Sequence, residues 1–166
     1  MSKLAMITGA SRGLGAEYAR ILAARGYDLI LVARSQEDLQ HLSQDLIERY
    51  GVKVEVKVVD LTLASELREL IAWLASFDVD LLVNNAGTGT IGLFVENTIE
   101  KSMKIVSLQV EAITRLTHAV LPGMLQRNLG DIINVGSTIA LMTQRYNVMY
   151  AATKYYLMGF AAALNK

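Results

Sequence analysis

The sequence predicts an open α/β domain, in which a doubly wound parallel sheet carries helices on both faces. Three observations predict it. Short runs rich in apolar and β-branched residues alternate with longer amphipathic stretches. Several of the short runs are apolar throughout, as strands of a sheet covered on both sides must be. Glycines and polar residues gather just after those runs, at the strand ends where open parallel sheets bind ligands. Strand–helix–strand alternation with right-handed crossovers then builds the layers. The length of 166 residues fits one domain, 1–166. Such a chain buries about 70% of its unfolded surface and needs no disulfide or metal to hold it.

In chain order, Leu4–Thr8 reads as the first strand and 14–25 as the first helix. Asp28–Ala33 is the second strand, and its run Leu29–Ala33 is wholly apolar. Residues 36–50 form the second helix, with Leu39, Leu42, Leu46 and Tyr50 spaced by three or four on one face. Val52–Val59 follows as a strand, 63–76 as a helix, and Leu81–Val83 as a short strand. A long helix is expected over 98–128, with a kink or break at Pro122, whose ring removes a donor and crowds the preceding turn. Asp131–Val135 and 148–164 complete the alternation as a strand and a helix. There is no internal repeat, low-complexity segment or linker.

Composition removes whole classes of chemistry. With no cysteine there is no thiol nucleophile, disulfide, iron–sulfur cluster or thiolate zinc site. His41 and His118 are too far apart for two zinc ligands on one helix turn, so no metal is expected. Sixteen basic residues balance sixteen acidic ones, which argues against a nucleic-acid partner. No apolar stretch approaches a bilayer crossing and no signal-peptide core opens the chain, so a soluble cytoplasmic protein without a membrane partner is expected. The 52% hydrophobic content against 19% charge points to helix faces covered by another subunit.

The first strand runs into Thr8-Gly9-Ala10-Ser11-Arg12-Gly13-Leu14-Gly15 and at once into a helix. Glycine lets the backbone adopt angles closed to other residues and approach a pyrophosphate closely, while the helix start offers free N–H groups. Between a strand and a helix at the head of an α/β chain, this spacing reads as a dinucleotide cradle rather than a plain turn. An NAD site carries an acid at the end of the second strand, but that strand ends Ala33-Arg34-Ser35. A guanidinium grips a 2′-phosphate that a carboxylate would repel, and Arg12 in the glycine loop can approach the same group. NADP(H) is therefore the expected cofactor.

At this point the motifs resemble the short-chain dehydrogenase/reductase family. Thr8 to Gly15 is similar to its TGxxxGxG loop, Val59-Asp60-Leu61 to its adenine-contacting strand end, and Asn84-Asn85-Ala86-Gly87 to its NNAG motif. Ser137, with Tyr150-Ala151-Ala152-Thr153-Lys154 thirteen positions on, resembles its Ser and YxxxK active site. The likeness runs through essentially all 166 residues, in order. It implies a Rossmann fold and an NADP-dependent oxidoreductase, like a carbonyl or 3-oxoacyl reductase, acting on a small carbonyl or alcohol; the alternative is an NADP-binding protein with little or no turnover. The cofactor would then be held by Gly9, Ser11, Arg12, Gly13, Leu14, Gly15, Arg34, Asp60, Leu61, Asn85, Ala86, Gly87, Tyr150 and Lys154. Asp60 reads equally as an acid ahead of a helix, and Asn85 as a turn-former with Gly87.

In the implied hydride transfer the protein must supply a proton and hold the oxygen. Free phenol titrates near 10, too high for easy exchange. Lys154 falls on the same helix face as Tyr150, and Tyr150 falls in the first turn; both features favour the phenolate. Tyr150 is the expected acid/base, Lys154 its partner and the ribose ligand, and Ser137 the hydroxyl that steadies the substrate oxygen. Leu141, Met142, Tyr146, Thr90 and Ile91 flank the site as an apolar substrate wall. Two departures stand out. Gln109 falls where the family places an Asn that supports a water relay to the lysine. The family also continues past the catalytic helix into another strand, a substrate-covering segment and a last strand, so 1–166 is expected to be C-terminally incomplete, lacking that strand–helix–strand. By the same resemblance, the helix 98–128 and the catalytic helix would pair across a two-fold axis into a homodimer or homotetramer.

Overall fold

A computed structural model of the chain describes residues 2–142 and 145–164. Five strands form one parallel sheet: β1 (Leu4–Thr8), β2 (Asp28–Ala33), β3 (Val54–Val58), β4 (Leu81–Asn84) and β5 (Asp131–Asn134). Their order across the sheet is β3-β2-β1-β4-β5, so the direction of winding reverses between β1 and β4. At that reversal the connections leaving β1 and β4 diverge to opposite faces and open a crevice at the carboxyl ends of the strands.

The alternation of side chains across β1, β2 and β4 builds two cores. Ala5, Ile7, Leu29, Leu31, Leu81 and Val83 face α1 (Gly13–Ala24) and α2 (Gln36–Tyr50), packing on Ala19, Leu22, Leu39 and Leu46. Met6, Ile30, Val32 and Leu82 face the other way, onto Leu67, Leu70 and Leu74 of α3 (Ala64–Leu74) and Leu116, Val120 and Met124 of α5 (Ala112–Arg127). The central strands are thus buried on both faces, as their apolar runs predict. At the edge, β3 is shorter than expected and partly exposed: it has a neighbour on one side only, and Glu55 faces water. Helix α2 starts on Ser35, whose hydroxyl accepts from the Asp38 N–H, and stops at Gly51 in the left-handed region. Tyr50, expected to extend the buried stripe, is exposed.

The long helix departs from expectation in two ways. It divides into α4 (Ile99–Val106), a π-helical turn over Ser107–Glu111, and α5. Of the kink or break expected at Pro122, the break does not occur: the helix continues to Arg127 with the proline inside it. Pro122 and His118, whose carbonyl loses its partner, are both exposed, so the freed carbonyl belongs to a face open to solvent and the helix runs on. Helix α6 (Val148–Leu164) packs against α4 and the π turn. No described helix is long and apolar enough to cross a membrane.

The proline still costs the helix a hydrogen bond. Pro122→Ala restores it on an exposed face and should raise the unfolding free energy by about 1–3 kcal/mol in urea titration.

Candidate active site

The turn after β1 is drawn tightly against the turn after β4. Gly9 and Gly13 have φ of 65° and 57°, in the left-handed region. A Cβ on Gly15 would lie 2.1 Å from the Gly9 carbonyl oxygen, so no other residue fits there. The Asn85 amide donates to the carbonyls of Thr8 (3.0 Å) and Gly9 (3.1 Å) from beneath. The Thr8 hydroxyl accepts from the N–H groups of Asn85 and Ala86, both at 3.0 Å, and donates to the Val83 carbonyl. Asn85 therefore ties the glycine loop to the sheet, which is more than the turn-former its sequence context allows.

Above this knot the first turn of α1 has no protein partner among the described residues. Its N-cap, Arg12, makes no side-chain cap, and no acid lies in that turn. The N–H groups and the positive helix end thus face outward beside the exposed Arg12 and Leu14, and a Cβ on Gly13 would meet open space. Such a donor set suits a diphosphate. Ala10 N–H donates to the Val32 carbonyl, which holds the loop against the end of β2, from which Arg34 emerges.

Arg34 is exposed, and its guanidinium lies 4.0 Å from the Asp60 carboxylate. Asp60 accepts from the N–H (2.9 Å) and hydroxyl (2.7 Å) of Thr62, which makes it the acid of the turn leading to α3. Burial pulls its pKa upward, but the Thr62 hydrogen bonds and the charges of Arg34 and Lys104 outweigh this and hold it below the usual carboxylate value. Leu61 is buried in the core beneath α3 and α5.

On the far side of the crevice stands α6. Lys154 is only 4% exposed and donates to the Val135 carbonyl at 2.7 Å. Its ammonium lies 5.6 Å from the centre of the Tyr150 ring, one turn back on the same face. Burial pushes the Lys154 pKa down from its ordinary 10.5. Ser137, two residues beyond the carbonyl that anchors Lys154, accepts from the Ile139 N–H and starts the 3-10 turn Thr138–Leu141. Tyr150 is half-buried, and its ring packs on Gly89 of the loop after β4, where a Cβ would touch it at 3.4 Å. The Gly92 N–H donates to the Tyr146 carbonyl and closes that loop onto the segment before α6.

Gln109 is completely buried within the π turn. Its amide nitrogen donates to the Thr88 carbonyl, and its Oε1 has no partner among the described residues. The extra methylene relative to Asn thus carries the amide across to the β4–α4 loop. Ile91, Leu141, Met142 and Tyr146 are exposed at the mouth of the crevice.

The model of the short chain dehydrogenase family matches residues 3–166. The chain belongs to the short-chain dehydrogenases. It is 37% identical to a very-long-chain 3-oxoacyl-CoA reductase of Laccaria bicolor, over 98% of this chain and 49% of that protein. The corresponding reductase of Rattus norvegicus is 31% identical, over 100% of this chain and 54% of the relative. Among solved structures, a short-chain dehydrogenase from Sphingobium yanoikuyae in complex with NADPH superposes with a TM-score of 0.95 at 37% identity, covering 98% of this chain and 64% of that one. The bulky-bulky ketone specific alcohol dehydrogenase from Comamonas testosteroni superposes equally well, with a TM-score of 0.95 at 35% identity, over 98% and 66%. The chain spans about half the length of the curated relatives it matches.

In this short-chain dehydrogenase, sequence reasoning missed three participants. Thr8 reads as a β-branched strand residue, and its hydroxyl's role depends on where β4 ends. The Val135 carbonyl is a main-chain group with no sequence signal. Gly89 shows only as one more loop glycine, and its contact with Tyr150 joins residues far apart in the chain.

Two outcomes follow. Thr8→Val keeps the shape of the side chain but strips the partner from the Ala86 N–H; it should cost about 1–3 kcal/mol in denaturant unfolding. Lys154→Met removes a buried charge. Because burial lowers the folded-state pKa of Lys154, wild type carries the penalty of the charged form below that pKa and loses it as pH rises toward 10.5. The variant should melt no lower than wild type at pH 7, and its margin should narrow as pH is raised; a persistently lower Tm would contradict this.

Proposed function

We propose that the chain binds NADP(H) and carries out reversible hydride transfer between its nicotinamide and a carbonyl or alcohol, with Tyr150 as acid/base. The observation that carries this reading is the buried Lys154, fixed on the Val135 carbonyl one helical turn from Tyr150 and two residues before Ser137 in the adjoining strand end. A buried lysine costs stability unless its charge is used, and here the adjacent phenol is the group it serves.

When bound, NADPH supplies the hydride. Tyr150 gives its phenolic proton to the carbonyl oxygen, and the Ser137 hydroxyl donates a hydrogen bond to that oxygen as charge develops on it. Lys154 favours the phenolate left on Tyr150. An ammonium has three donors, so the bond to Val135 leaves two for ribose hydroxyls. The uncapped start of α1 holds the diphosphate, and Arg12 and Arg34 hold the 2′-phosphate. Arg34 has to turn from Asp60 to do so, which its exposed position permits. Ala86, Gly87 and Asp60 line the path between these ends, while Leu61 stays in the core beneath it.

The relatives' names support a 3-oxoacyl thioester as the substrate class. The exposed Leu141, Met142 and Tyr146 suit its acyl chain. The apolar side chains left in water at Ile99 and Met103 of α4 and Tyr155 and Met158 of α6 suit pairing with a second copy.

NADPH oxidation by the full-length protein with a 3-oxoacyl thioester tests the reading. Tyr150→Phe should lower kcat by about 10²- to 10⁴-fold while changing NADPH affinity far less. Arg34→Asp should weaken NADPH at least tenfold more than NADH. Tight NADPH binding without turnover on any carbonyl would leave a nucleotide-binding protein in place of an enzyme.

A further inference from the structure

Between α4 and the loop after β4 lies a groove of about 370 Å³. Thr88, Gly89, Thr90 and Ile91 of the loop line it together with the buried Ile105 of α4. Lys101 and Lys104, three residues apart on one face of α4, line it as well. No lining residue is acidic. Neither lysine has a carboxylate within ion-pair distance among the described residues. The nearby acids are otherwise engaged or set apart. Glu96 accepts from the Leu93 N–H, and Glu100, one turn before Lys104, makes no ion pair with it. Asp60 feels the charge of Lys104 but is bonded to Thr62.

We infer that this groove is a subsite for the phosphate-bearing carrier arm of an acyl thioester, held by Lys101 and Lys104. The inference rests on the proposed reductase reading and extends it to the part of the substrate remote from the carbonyl. Gly89 joins the two places: it lines the groove and also packs against the base of the Tyr150 ring, so the groove begins beside Tyr150. A substrate engaged at Tyr150 and running past Gly89 over Thr90 lays its distal anion on the two ammonium groups. The cofactor's own phosphates have donors elsewhere, at the start of α1 after β1, whereas this groove follows β4. The apolar side chains at Leu141 and Met142 lie on a different loop, which leaves the acyl chain a separate route.

The test compares two substrates on the full-length protein at saturating NADPH: a short 3-oxoacyl-CoA, and the N-acetylcysteamine thioester of the same acyl group, which has the same reacting carbonyl and no phosphate. The double variant Lys101→Gln/Lys104→Gln should raise KM for the CoA thioester about five- to tenfold and leave KM for the N-acetylcysteamine thioester and the Kd of NADPH unchanged. The wild-type preference for the CoA thioester should also shrink as salt is raised. Equal KM shifts for both substrates, a shift in NADPH affinity instead, or no shift at all would overturn the subsite while leaving the reductase reading intact. Failure of wild type to reduce either thioester, with other ketones reduced, would overturn both the substrate class and the subsite.

Discussion

The tie between the turn after β1 and the turn after β4 sets the rest of the molecule. There Gly9 comes so close to Ala86, and Gly15 so close to the Gly9 carbonyl and the Asn85 amide, that no Cβ fits, and the Thr8 hydroxyl and Asn85 amide supply the polar partners that such packing requires. Two backbones this near each other would strand their N–H and C=O groups without those two side chains. The knot lies where the winding of the sheet reverses, so it fixes both walls of the crevice at once. On one side it leaves the start of α1 open and uncapped. On the other it aims the chain after β4 across toward α6, where Gly89 meets Tyr150.

A second set of contacts braces the reacting end. Lys154 is anchored on the carbonyl of Val135, Gln109 on that of Thr88, and Gly92 on that of Tyr146. Each joins a helix or loop to a main-chain group on a different element, so Tyr150 sits among parts that hold one another. The π turn is where the long helix gives way to allow this. Its wider winding places Gln109 inward, fully buried, at the cost of regular hydrogen bonding over Ser107–Glu111. That irregularity falls at the site and not at Pro122, because the proline faces water and Gln109 faces the crevice.

Charge is distributed unevenly around the same crevice. The arginines of the helices are largely matched by carboxylates, while Arg12 in the glycine loop and Lys101 and Lys104 on α4 have no ion-pair partner among the described residues. Arg34 lies only at the limit of contact with Asp60. Arg12, Arg34 and the pair Lys101 and Lys104 follow β1, β2 and β4 in the chain, so a chain of zero formal net charge still places cations beyond the carboxyl ends of these strands.

Much was legible in the residues themselves. Apolar runs at Leu4–Thr8 and Leu29–Ala33 determined buried central strands, since only a sheet covered on both faces can hide them. The spacing of Gly9, Gly13 and Gly15, and of Tyr150 and Lys154, is local, so backbone geometry and helical periodicity read it directly. Other features depended on contacts between distant segments. The truncation of β3, the passage of the helix through Pro122 and the burial of Leu61 followed from which neighbours each found in the fold. The hydroxyl of Thr8, the carbonyl of Val135 and the contact of Gly89 with Tyr150 acquire their roles only when β4, β5 and α6 converge. Sequence determines periodicity and local angles because those act over a few residues; only the packed tertiary structure decides which carbonyl meets which donor, because those partners lie many residues apart.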